Sequence, residues 1–206
     1  MISVFDLLFQ VVILLFSIIL HETAHGYAAL ALGDPTARFA GRLSFNPIKH
    51  VDLWGTVVLP LFLILVRSPF LVGWAKPVPV NPFSLRDRKR GMMLVGAAGP
   101  LANVVLVLLS ALALRILPVS APPLLFDAFK YCCAINIILA LFNLVPVPPL
   151  DGSRVVAGFL PPNVREAYEQ LDHYGIFIVI ALLYFGLLDK VIIPLYRTIF
   201  YLLVQA

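Results

Sequence analysis

Apolar residues run almost unbroken from Val4 to Leu20 and continue through a short polar cluster at His21–His25 into Gly26–Leu32. The pattern predicts one helix of about 29 residues, long enough at 1.5 Å per residue to span a bilayer. Gly33-Asp34-Pro35 stops it. Residues 36–45 lack helical periodicity, and Phe39, Leu43 and Phe45 set against Arg38 and Arg42 suggest a short extended or hairpin element. Residues 53–75 are apolar but broken at Pro60 and Pro69, which predicts a segment that dips into the membrane and turns back. Lys76–Pro82 must be extended, because Pro77, Pro79 and Pro82 forbid a helix. Apolar runs at 91–116 and 128–145 predict two further membrane helices. A surface helix follows at 163–172, then apolar segments at 174–188 and 191–204; Pro194 and Arg197 leave the last either crossing or lying in the interface.

The pattern implies an all-α polytopic membrane protein with four to six spans. It is expected to be one membrane-embedded domain over 1–206, with a core near 4–155 and peripheral C-terminal helices at 156–206. Composition agrees: 61% of the 206 residues are hydrophobic and 13% charged, with a net charge of +4. A water-soluble domain is closer to half apolar and a quarter charged. The charge sits in local clusters, which reads as membrane topology and not as a nucleic-acid footprint. Cys132 and Cys133 are adjacent, so they give no disulfide framework and read as apolar filler. The N-terminal run has no basic leader and no cleavage site before residue 21, so it is not expected to be removed as a signal peptide.

His21-Glu22-Thr23-Ala24-His25 has the spacing His-Glu-x-x-His. On a helix, positions i and i+4 share a face, so two imidazoles can hold one zinc ion while the intervening glutamate acts on water as a general base. Such a five-residue match arises by chance in soluble chains. In a membrane helix each ionisable residue costs on the order of 2.5–3.5 kcal/mol on insertion scales. Three within five positions are tolerated only if they share a ligand. A catalytic zinc commonly has a third protein ligand. His50 and His173 lie in polar surroundings and read as interface residues. Asp151, between a proline-rich break and Gly152, reads equally as a ligand or as a helix-end turn residue.

Three separated motifs resemble the site-2 proteases, a family of intramembrane zinc metalloproteases: His21-Glu22-x-x-His25, Gly99-Pro100-Leu-Ala-Asn103, and Asn143…Pro146…Pro148…Leu150-Asp151-Gly152. The resemblance covers roughly residues 10–155 and fits the short branch without PDZ or CBS domains. It implies that Asp151 is the third zinc ligand beside His21 and His25, and that Glu22 is the catalytic base. It also implies that Asn143 lies near the metal as a catalytic amide, and that Asn103 helps position the substrate or core.

One zinc touching all three ligands requires residues 33–90 to leave and return on one side of the membrane. With 53–75 re-entrant, that side carries Arg38, Arg42, Lys49, Lys76, Arg86, Arg88, Lys89, Arg90, Arg154 and Arg165, against Arg115, Lys130 and Lys190 on the other. This excess of cations places the site toward the cytoplasm and the N-terminus outside, in a multi-pass protein of the cell membrane. The expected partners are the lipid bilayer and membrane-spanning protein substrates, with no nucleic acid; the sequence leaves the oligomeric state open. The expected substrate is a locally unwound membrane helix; the segments at 36–45 and 76–82 either pair with it by strand addition or merely cap the membrane surface. The competing readings are a zinc carrier and a non-catalytic scaffold. Residues 91–145 offer no acidic or histidine path for a carrier, and a scaffold has no need of Glu22.

Overall fold

The computed structural model describes residues 4–58, 61–62, 65–66 and 75–205. Three helices among them are long and apolar enough to cross a membrane. These are α1 (Val4–Ala31), α3 (Arg88–Ile116) and α4 (Pro123–Asn143). At 1.5 Å per residue they run for roughly 30–45 Å, against a hydrocarbon core of about 30 Å. The short helices are α2 (Thr36–Phe39), α5 (Asp151–Ala157), α6 (Pro162–Gln170), α7 (Gly175–Tyr184) and α8 (Ile193–Phe200). Two stretches, Pro162–Tyr184 and Asp189–Val204, meet at a 60° bend and make a fourth span if counted together. The span count therefore sits at the low end of the sequence expectation.

α3 shows why the bundle belongs in lipid. Many of its inward positions are small or polar, among them Gly96, Gly99, Asn103, Ser110 and Ala111. Its outward positions are large and apolar: Leu101, Val105, Leu108 and Leu112 are all exposed. Lipid is as apolar as leucine, so helices in a membrane associate through close backbone approach and buried polar contacts. α1 and α4 both pack against α3. α8 closes the far side, where Tyr196, Ile199 and Phe200 cover a core of Val107, Cys133 and Ile137. Cys132 and Cys133 are both free, as expected of filler.

The end of α1 and the start of α3 lie together. Arg86 donates its backbone N–H to the Leu32 carbonyl at 3.0 Å, so the intervening chain leaves and returns at one end of the bundle. Much of the expected re-entrant segment 53–75 lies outside the described residues; its first part, Leu53–Val58, is a π-helical turn.

Residues 36–45 correct the sequence reading. No strand forms among the described residues, and Thr36–Phe39 is a single helical turn. The cause is Asp34, whose Oδ1 accepts from Thr36 N at 3.0 Å and from Thr36 Oγ1 at 2.5 Å. An Asx-turn of this kind redirects the chain locally and overrides the alternating pattern. Gly41, at φ +63°, ends the turn in the left-handed region that glycine tolerates. Arg42 is then swung inward to donate from Nη2 to the Lys76 carbonyl. Lys76–Pro82 has no helix, as its prolines require.

Asp34 is fully buried, and its Oδ2 also accepts from Asn81 N at 2.6 Å, so one carboxylate ties the exit of α1 to the 76–82 segment. Burial disfavours its ionised form, but these hydrogen bonds outweigh burial and hold its carboxyl below the usual carboxylate range. A depressed folded-state value means the stabilisation is complete above the unfolded-state pKa and fades as the pH drops through the folded-state one. Asp34→Asn is expected to cost about 1–3 kcal/mol, the usual price of orphaning a buried donor. In detergent, thermal unfolding at neutral pH should show a lowered Tm, and the gap to wild type should narrow once the pH is taken below about 4.

Candidate metal centre

α1 carries His21 and His25 one turn apart, with Glu22 next to His21, and α5 begins at Asp151 immediately after the proline-rich break that follows α4. The fold brings the three candidate ligands to one buried point. Asp151 Oδ2 lies 3.0 Å from His21 Nε2 and 3.1 Å from His25 Nε2, and the two Nε2 atoms are 3.1 Å apart. Asp151 thus faces the imidazoles, in a group that could hold a metal ion. Its Oδ1 turns instead toward Arg154 Nη1, 3.7 Å away.

The outer atoms of both rings are already occupied. His21 Nδ1–H donates to Asn103 Oδ1 at 2.6 Å. His25 Nδ1–H donates to the Val95 carbonyl at 2.6 Å. A carbonyl oxygen only accepts, so in each neutral ring the proton sits on Nδ1 and the Nε2 lone pair points inward. Two lone pairs and a carboxylate facing one another at these distances repel unless a cation lies between them. Zinc bonds of 2.0–2.1 Å in a tetrahedron would set the ligands about 3.3 Å apart, so a spread of a few tenths of an ångström admits the ion. The donor set of two imidazoles and one carboxylate is that of a catalytic zinc.

Glu22 stands next to the pair, half-buried, and its Oε2 accepts from Val78 N at 2.9 Å. The extended segment therefore grips the catalytic candidate. Lys76 N–H goes to the His50 carbonyl and Asn81 N–H to Asp34, while Pro77, Pro79 and Pro82 have none to give. Three of the segment's four backbone N–H groups are thus committed within the protein. His50 is buried on the Ser44 carbonyl and His173 is exposed on the Gln170 carbonyl, so neither joins the centre.

Asn103 is fully buried, with Nδ2 donating to Asn136 Oδ1 at 2.7 Å. Its Oδ1 reaches His21. Asn143 ends α4 and donates from Nδ2 to the Leu139 carbonyl at 3.0 Å. The sequence reading missed Asn136 and Ser17, two fully buried polar residues behind Asn103. An asparagine midway along an apolar helix was the available signal.

Gly99 lets α3 lie directly on the rings. A Cβ there would stand 2.6 Å from His21 Nε2 and closer still to His25 Nε2.

The profile of peptidase family M50 matches residues 119–186, which include Asp151. YwhC of Bacillus subtilis, provisionally named a zinc metalloprotease, is 38% identical over 182 residues, 84% of this chain and 79% of its own. Rip2 of Mycolicibacterium smegmatis, named in the same provisional way, is 27% identical over 82% of this chain and 64% of its own. The zinc metalloprotease MJ0392 of Methanocaldococcus jannaschii is 24% identical over 92% of this chain and 46% of its own. No solved structure matches.

Gly99→Ala places a methyl group against the Nε2 atoms of both rings. Zinc content of the purified variant should fall at least about tenfold, since even outer-shell changes cost 10–100-fold in affinity. Leu101→Ala, on the exposed face of the same helix, should leave zinc content unchanged; equal zinc in Gly99→Ala and wild type would contradict the assignment.

Proposed function

The chain belongs to peptidase family M50, and from that membership we propose that it hydrolyses peptide bonds of membrane-spanning protein substrates, as in regulated intramembrane proteolysis. The observation that carries this reading is the buried His21–His25–Asp151 cluster, with Glu22 beside it, set among helices long and apolar enough to cross a bilayer. His21, His25 and Asp151 would hold zinc, which when bound supplies Lewis acidity toward water and toward a carbonyl oxygen. Glu22 takes the proton of the attacking water and later delivers it to the leaving amine, as the C–O bond forms and the C–N bond breaks. The Val78 amide fixes the direction in which the Glu22 carboxylate points. Asn143 retains a second Nδ2 hydrogen beyond the one given to Leu139, and we assign it to the developing oxyanion. Asn103 acts through His21.

A helical substrate hides its carbonyls in its own hydrogen bonds, so it must unwind locally before Glu22 and Asn143 can act on it. Water reaches the site at the end of the bundle where the 33–50 and 76–90 loops meet. The cationic residues gathered at that end, Arg86 through Arg90 among them, support its placement at the cytoplasmic face with the N-terminus outside.

Glu22→Gln tests the proposal. The variant should keep wild-type zinc content while cleavage of a panel of single-span membrane proteins in proteoliposomes falls by about 10²–10⁴-fold. Undiminished cleavage would refute the assignment. Zinc flux into the vesicles without cleavage would point to a carrier instead.

A further inference from the structure

Behind the metal centre, a line of buried polar side chains crosses all three long helices. Ser17 on α1, Asn103 on α3 and Asn136 on α4 are each fully buried. Ser17 donates its hydroxyl proton to the Ile13 carbonyl at 2.9 Å. Asn136 Nδ2 donates to Ser17 Oγ at 2.8 Å and to the Cys132 carbonyl at 2.8 Å. Asn103 Nδ2 donates to Asn136 Oδ1 at 2.7 Å, and Asn103 Oδ1 accepts from His21 Nδ1 at 2.6 Å.

The direction of this chain is determined at its far end. The Cys132 carbonyl can only accept, and the Ser17 proton is already spent, so both face the nitrogen of the Asn136 amide. Asn136 must then present its oxygen to Asn103. Asn103 in turn presents its nitrogen to Asn136 and its oxygen to His21. An oxygen at that point demands a proton on His21 Nδ1, which leaves the Nε2 lone pair facing Asp151 and His25. Were Asn103 free to flip, its Nδ2 would favour the other ring tautomer, with the proton on Nε2 pointing into the ligand cluster.

We infer that Asn136 is a positioning residue of the metal centre, which holds Asn103 in one amide orientation and so fixes the His21 tautomer for metal binding. The inference rests on the reading of His21, His25 and Asp151 as zinc ligands. A lesser role as a polar tie between α3 and α4 would also account for burial, but not for a one-way order of donors and acceptors that ends on a ligand.

The test uses the full-length protein in detergent, with two readouts. Histidine ¹⁵N NMR of the metal-free protein reports the His21 tautomer, and competition with a chelator gives the zinc Kd. Asn136→Leu should yield mixed His21 tautomers and a Kd about 10–100-fold weaker, the range seen for loss of outer-shell partners. In an Asn103→Ala background the same change should add no further loss, because its route to His21 is gone. Asn136→Asp keeps an oxygen toward Asn103 and should retain the single tautomer. An unaltered tautomer and Kd in Asn136→Leu would overturn the inference, as would losses that add in the double variant. If Asn136→Leu fails to fold, mixed tautomers in Asn136→Asp would overturn it. Wild-type protein that bound no zinc would refute the zinc reading, and the metal-free tautomer would still decide the relay.

Discussion

Three electron-rich atoms, His21 Nε2, His25 Nε2 and Asp151 Oδ2, face one another at 3.0–3.1 Å inside an apolar bundle. In water such an arrangement would relax by turning the rings outward. Here each ring is fixed from behind, by Asn103 on one and the Val95 carbonyl on the other, so the lone pairs have nowhere else to point. A shared positive charge, a zinc ion or a proton on Nε2, relieves the repulsion. Much of the surrounding structure serves this constraint: α3 must approach α1 closely enough to supply both outer partners, and Gly99 is what permits that approach.

The polar end of the bundle answers a second requirement. In the proposed reaction the flexible side chain of Glu22 must be aimed at a reacting molecule without blocking the ligands. The Lys76–Pro82 segment provides a single amide for that purpose, from Val78, between two prolines that offer none. Asp34, Arg42 and His50 anchor that segment to the exit of α1 through Asn81 N, the Lys76 carbonyl and Lys76 N respectively. The extended segment therefore orients Glu22, and three of its four backbone N–H groups are committed within the protein.

The long helices were legible because apolar length is read directly from composition: expected spans at 4–32, 91–116 and 128–145 correspond to Val4–Ala31, Arg88–Ile116 and Pro123–Asn143. The two histidines and Glu22 were legible because one-turn spacing on a helix is a local property. Asp151 was undecided from local sequence, since a turn residue and a ligand look alike until tertiary contacts distinguish them. The element at 36–45 was misread because one buried side chain, Asp34, outranked the alternation of the following residues. Asn136, despite its place midway along an apolar helix, and the Val95 carbonyl were passed over for a related reason: their importance lies in what another helix presents to them.

X-ray absorption at the zinc edge of the purified wild-type protein is the most direct test of the central claim. The account predicts a first shell of nitrogen and oxygen only, at about 2.0–2.1 Å, with outer scattering from two imidazoles. A sulfur neighbour near about 2.3 Å, which would bring in Cys132 or Cys133, would contradict it. So would a third imidazole, from His50 or His173.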